Sequence, residues 1–134
     1  MKTVIIGGVA GGMSAATRLR RLQEDAEIII FEQGKNVSYA NCGLPYHVGE
    51  IIKNESELLL QTPKSLNDRF NLDVRVNSRV TKIDRTNKTV TVLNLIDNQS
   101  YEESYDKLVI STGAKPRALP TPGIERAHVL RDVE

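Results

Sequence analysis

A chain of 134 residues with 40% hydrophobic and 26% charged residues has the composition of one folded domain, not of a disordered segment. A formal net charge of +1 gives no bulk attraction to nucleic acid or to an anionic membrane surface, and no apolar run approaches the roughly 18 residues that span a bilayer. One cysteine, Cys42, excludes an intrachain disulfide and a multi-cysteine metal site; no metal is expected.

Lys2–Ile6 (KTVII) predicts a short buried strand. Charged Lys2 and the apolar residues after it mimic a signal peptide, but Gly7, Gly8, Gly11 and Gly12 break the run and Arg18, Arg20 and Arg21 follow, so a cytoplasmic protein is expected. Residues 13–23 place Ala15, Ala16, Leu19 and Leu22 at helical spacing with arginines opposite. Glu27–Phe31 (EIIIF) is a second buried strand. Strand, glycine turn, helix and strand in about 30 residues predict a βαβ unit with parallel strands.

Residues 33–41 have loop character. Residues 43–49 predict a short helix with Pro45 in its first turn and Ser38 or Asn41 as cap. Thr62 is the candidate N-cap of a helix running to Phe70. Val74 and Val76 share a short strand. Alternation over residues 79–84, 89–95 and 101–105, with turns at Asn87-Lys88 and Asp97-Asn98, predicts an antiparallel three-stranded meander. Residues 107–111 (KLVIS) return to the buried-strand pattern. Pro116, Pro120, Pro122 and Gly123 then mark an extended crossing segment.

The turn Gly7-Gly8-Val9-Ala10-Gly11-Gly12 follows a strand and opens a helix, the setting of a dinucleotide fingerprint. Gly7 and Gly12 hold its first and third glycine positions. Val9 departs from the second, and Gly8 and Gly11 are expected to supply the missing room. Glu32 follows Gly12 by about 20 residues, where an acid holds the ribose hydroxyls of an unphosphorylated adenosine. A structural glycine turn without nucleotide is the alternative.

Cys42 stands where a short helix begins. The positive helix end favours thiolate, the form that attacks disulfides or oxidises to sulfenate. Any disulfide it forms is with another molecule, such as a low-molecular-weight thiol. A buried structural cysteine is the alternative. His47, five residues on, shares no aligned helix face with Cys42, which favours a structural role.

Residues 7–22 (GGVAGGMSAATRLRRL) and 38–50 (SYANCGLPYHVGE) resemble the coenzyme A disulfide reductases and the NADH-dependent persulfide reductases. Both lie in the single-cysteine branch of the FAD-dependent pyridine nucleotide-disulfide oxidoreductases. Residues 105–114 (YDKLVISTGA) resemble the family's second flavin-contacting segment.

The resemblance implies a Rossmann-like FAD-binding α/β domain, with the meander inserted in a parallel sheet. It implies FAD as cofactor, reduced by NADH or NADPH held on a domain outside this chain. Cys42 is then the redox sulfur that forms a mixed disulfide with coenzyme A. Cofactor contacts fall on Gly7, Gly8, Val9, Ala10, Gly11, Gly12, Glu32, Gln33, Asn41, Cys42, Val80, Ser111, Thr112, Gly113 and Arg131. Substrate contacts fall on Ser14, Arg18, Arg21, Ser38 and Asn41. For Arg18 and Arg21, three apart on one helix face, a solvated surface is the alternative.

Ala10 stands where peroxide-using relatives carry histidine, which argues against peroxide or oxygen as the main substrate. An NADH oxidase cycling a sulfenate is the runner-up, and a nucleotide-binding module with a structural cysteine is the reading from another class. Residues 1–134 are expected to be the N-terminal part of the FAD domain of a longer, homodimeric enzyme, inactive alone.

Overall fold

The computed structural model describes residues 1–117 and 119–133. Its framework is a parallel sheet of order β3-β2-β1-β7. β1 (Lys2–Ile6) pairs with β2 (Glu27–Phe31) on one side and with β7 (Lys107–Ile110) on the other, so that Ile5 lies beside Ile30 and Val109. β3 (Asp73–Arg75) adds to β2, with Val74 beside Ile30.

Both faces of this sheet are covered, which is why β1 and β2 read as unbroken apolar runs. Ile5, Ile28 and Ile30 pack on one side with Met13 and Ala16 of α1 (Ala10–Leu22) and Leu66 of α3 (Pro63–Phe70). Val4, Ile29 and Phe31 pack on the other with Val90 and Val92 of the meander. Each such side chain, once fully buried, stabilises the fold by about 1.5–3 kcal/mol relative to exposure.

α1 starts at Ala10, three residues before the expected start. Gly7 turns the chain by itself, with φ of +103°, so Gly11 and Gly12 already belong to the helix. α3 is capped as its sequence predicts. Thr62 Oγ1 accepts from Ser65 N (3.1 Å) and Ser65 Oγ accepts from Thr62 N (2.9 Å). The other end of α3 stops at Asn71 in the left-handed region. Arg20 of α1 donates to the carbonyls of Phe70 and Asn71 there, both at 2.8 Å, joining the two helices.

The meander comprises β4 (Ser78–Asp84), β5 (Thr89–Asn94) and β6 (Ser100–Ser104). Simple alternation does not hold along β4. A bulge between Val80 and Lys82 shifts the register, so Val80 and Ile83, three apart, both reach the core beneath β5. The strand containing Val74 ends at Arg75, short of Val76, and joins the parallel sheet.

Polar side chains lock the meander to the sheet. Glu103 on β6 accepts from Lys2 Nζ and from Arg75 Nη1 (2.8 Å), while Arg75 also grips Asp73 (2.6 Å) and lies over the Phe31 ring. The Glu103 side chain is 14% exposed. Burial pushes its carboxyl up, but the bonds from Lys2 and Arg75 outweigh this and hold it below the usual 4.5. Its hydrogen bond to Glu103, with burial opposing, keeps the Lys2 ammonium above its usual 10.5.

The lock contributes fully between those values, fading as pH falls through the lowered Glu103 value or rises through the raised Lys2 value. Glu103→Gln is expected to cost about 1–2 kcal/mol near neutral pH, because it removes the part-buried carboxylate that Lys2 and Arg75 share, leaving Lys2 with Glu27 and Arg75 with Asp73. In urea unfolding followed across pH, that cost should shrink in acid. A cost independent of pH would refute the lock.

Candidate functional site

The strand order places the site. From β1 the chain first builds outward through β2 and β3, then returns to the opposite side of β1 as β7. At such a reversal the loops beyond the carboxyl ends diverge and open a crevice. β1 runs out into Gly7, β2 into Glu32 and β7 into Ser111. Gly7 N donates to Phe31 O and Ser111 N to Ile6 O, both at 2.8 Å, which holds the three exits together.

Two glycines in the first loop are required by backbone contact. A Cβ on Gly7 would lie 2.2 Å from Ser111 O, and one on Gly12 would lie 1.8 Å from Gly7 O. Gly8 serves a different purpose from the expected one. A Cβ there would meet Glu32 Cβ and Val37 Cγ1 at 3.0 Å, so its smallness lets the end of β2 and the following loop close in. A Cβ on Gly11 would meet only the Ser111 side chain, at ordinary contact distances of 3.5 Å to Oγ and 3.7 Å to Cβ. No side chain caps α1, and its first turn carries no acid. Its first N–H groups are left to a ligand or to solvent.

The Glu32 carboxylate stands beside this helix end. Its Oε2 accepts from Gly8 N (2.7 Å) and its Oε1 from Gly34 N (2.8 Å). Each oxygen keeps acceptor capacity for a hydroxyl.

The cysteine segment is tied to the same turn, since Ser38 N donates to Gly8 O at 2.9 Å. Ser38 takes a φ of +50° to make that bond. Asn41–Gly43 then forms one 3-10 turn, followed by α2 (Leu44–Val48) with Pro45 near its start. Neither Ser38 nor Asn41 caps it, contrary to expectation; the 3-10 turn feeds directly into the helix and leaves no extended residue to act as cap. Cys42 is exposed on this turn, not buried in a core. His47 Nδ1 bonds to Ile52 O at 2.7 Å, closing the loop beyond α2.

The crevice is a cleft of about 940 Å³, within the usual upper range for small-molecule sites. Gly7 and Val9 line it from the first loop, Glu32 and Gln33 from the second, and Asn41 from the cysteine turn. Ser111, Thr112 and Gly113 line its far wall together with Arg131, whose Nε donates to Ala114 O at 3.0 Å. Val80 lines a smaller hollow opening off Gly7, Glu32, Gln33 and Thr112.

Gly8, Ala10, Gly11, Gly12 and Ser38 do not line this cleft; nor does Cys42, next to Asn41. Ser14, Arg18 and Arg21 form one exposed row on α1, at positions four and then three apart.

Asn77, from the turn joining β3 to β4, and Arg79, at the start of β4, also line the cleft, as do Asn36, Tyr39 and Lys115. Sequence reasoning missed them. Arg79 had a signal, standing next to Val80, as did Tyr39, next to Ser38.

The family model of pyridine nucleotide-disulphide oxidoreductases matches residues 1–134. The chain belongs to that family. It is 42% identical over 120 residues to the coenzyme A disulfide reductase of Staphylococcus epidermidis, covering 90% of this chain and 27% of that protein. Among solved structures, the reduced Bacillus anthracis protein CoADR-RHD superposes with a TM-score of 0.89 at 52% identity, covering 95% of this chain and 23% of that one. The NAD-dependent persulfide reductase from A. fulgidus gives 0.88 at 41% identity, covering 93% of this chain and 23% of that one. The chain thus spans about a quarter of the length of the relatives it matches.

The parallel sheet with its separate antiparallel sheet agrees with the α/β class and inserted meander read from the sequence. Among the described residues, no helix is long and apolar enough to cross a membrane.

The two classes of glycine separate by experiment. Gly12→Ala is expected to lower stability by about 2–3 kcal/mol, because its methyl meets backbone that cannot rotate away. Gly11→Ala should be neutral or stabilising by up to about 1 kcal/mol, since helical glycine is itself costly. Thermal unfolding of the two variants checks this, and equal losses would contradict the contact geometry.

Proposed function

We propose that this chain is the FAD-binding part of an enzyme that reduces coenzyme A disulfide or persulfide with NADH or NADPH. The observation that carries the reading is the uncapped N-terminus of α1 beside Glu32, reached through glycines whose places backbone occupies. A pyrophosphate fits there. The helix end and N–H groups neutralise its charge, and Glu32 accepts from ribose hydroxyls. Gln33, Val80, Thr112, Gly113 and Arg131 stand around the remainder of the dinucleotide. FAD, when bound, supplies a two-electron carrier between a nicotinamide and a disulfide.

Cys42 is the proposed nucleophile. Its thiolate attacks one sulfur of coenzyme A disulfide; a Cys42–coenzyme A disulfide forms, the substrate disulfide breaks and one coenzyme A leaves as thiolate. Ser14, Arg18 and Arg21 offer this substrate a polar row. Among the described residues neither arginine has a carboxylate partner, so both remain available to phosphates. Ser38 and Asn41 flank the sulfur. Ala10 supplies no acid–base group for peroxide chemistry, which favours a disulfide or persulfide over the oxidase reading.

The nicotinamide and dimerisation domains are proposed to lie outside these residues, in a cytoplasmic homodimer. The relatives' greater length supports this, as does the far edge of β7. Among the described residues that edge pairs with no strand, and Ile110 on β7 is 62% exposed. A bare, apolar strand edge is a site for a further strand.

FAD added to the 134-residue chain is expected to develop a bound-flavin absorption spectrum, and Glu32→Gln to weaken binding about tenfold, the loss of one or two charged hydrogen bonds. In the longer protein, Cys42→Ser should reduce coenzyme A disulfide turnover about a thousandfold or more. Absence of flavin binding, or a preference for oxygen with water as product, would overturn the proposal.

A further inference from the structure

A small apolar cluster lies beneath the cysteine turn, apart from both main cores. Its centre is Leu58, 1% exposed, with Ile52 and Ala40 near it. A Cβ on Gly43 would fall 2.6 Å from Leu58 Cδ2, 3.5 Å from Ile52 Cδ1 and 3.7 Å from Ala40 Cβ. Such a contact would be relieved easily at the tip of a free side chain. Leu58 is enclosed, so its relief needs the cluster or the turn to move.

Backbone bonds hold the same place from the other side. Ala40 N donates to Leu58 O at 2.9 Å, and Tyr39 forms an isolated antiparallel bridge with Leu59. Gly43 N donates to Ala40 O at 2.8 Å, closing the turn that carries Cys42. Leu58 N donates to Glu55 O at 2.9 Å, which fixes the Leu58 segment itself. Cys42 thus sits between two gripped residues, Ala40 and Gly43, while its own side chain is exposed.

We infer that Gly43 and Leu58 form a clamp that sets the position of the Cys42 sulfur. They are positioning residues: neither touches the reacting atoms. The inference deepens the reading of Cys42 as the redox sulfur. A methyl at position 43 displaces the turn unless the leucine opposite is shortened, and the space vacated by Leu58→Ala accommodates that methyl.

The test uses the 134-residue chain with Gly43→Ala, Leu58→Ala and both together. The rate at which Cys42 forms a mixed disulfide with 5,5′-dithiobis(2-nitrobenzoate) is measured across pH, alongside the thermal unfolding midpoint. Gly43→Ala is expected to change the rate about tenfold, since the rate follows the thiol's thiolate fraction and access, both of which change when the turn is displaced. The double variant should return towards the wild-type rate. Unchanged rates with lowered midpoints would reduce the contact to packing and overturn the clamp, as would a double variant that fails to recover. If Gly43→Ala does not fold, Leu58→Ala decides alone: a changed rate and pH profile supports the clamp, and wild-type behaviour overturns it. FAD binding, measured separately, tests the flavin reading, so either idea can fail without the other.

Discussion

The structure depends on one close backbone contact. Gly7 O occupies the place of a Cβ on Gly12, and Ser111 O the place of a Cβ on Gly7. This brings the first turn of α1, the exit of β1 and the exit of β7 within a few ångströms of each other. The uncapped helix end consequently sits at the mouth of the cleft, close to the Glu32 carboxylate. Larger side chains would separate these groups, and the cleft would lose its focus. Ser38 N bonding to Gly8 O extends the same contact to the cysteine segment. One loop therefore indexes both the Glu32 end of the cleft and the thiol.

The two-sided burial of the sheet makes that contact rigid. Helices press from one face and the meander from the other, and the Lys2–Glu103–Arg75 lock ties the meander down beside β1 and β3. The meander is more than a cover. Its first strand brings Arg79 to the cleft and Val80 to the smaller hollow off it, and its bulge lets Ile83 reach the core on the same side as Val80. A regular β4 would face Val80 and Ile83 to opposite sides.

Much of this was legible in the sequence because it rests on local chemistry. KTVII and EIIIF are apolar at every position that two covered faces demand. Thr62-Pro63 with Ser65 is a cap written in three residues. Gly7 and Gly12 declare themselves by spacing. What stayed hidden involves contacts between distant segments. The bulge at Thr81 has no glycine to mark it. Gly8 proved to make room for Glu32 and Val37, a role that its place in the motif did not indicate. Arg79 and Asn77 reach the cleft only because β3 adds to β2 and turns back over the sheet. The cap expected at Ser38 or Asn41 failed because a 3-10 turn intervened, a choice set by the Ala40–Gly43 bond and the Leu58 segment, not by capping propensity.

The same distinction separates the Glu32 end of the cleft from the cysteine turn beside it. At the Glu32 end, a carboxylate, a helix terminus and glycines are held by the main cores, and their geometry is difficult to alter without unfolding the sheet. Beside it, Cys42 stands on a single 3-10 turn supported by a small satellite cluster. Small clusters under loops open at lower free energy than the cores they flank. The redox role proposed for Cys42 calls for such a support, stiff enough to aim the sulfur and local enough to adjust. Gly43 fits that requirement because its missing side chain lets Leu58 approach the turn directly. Under the proposed clamp, changes at positions 43 and 58 retune the thiol and leave the loop around Gly7 and Glu32 intact.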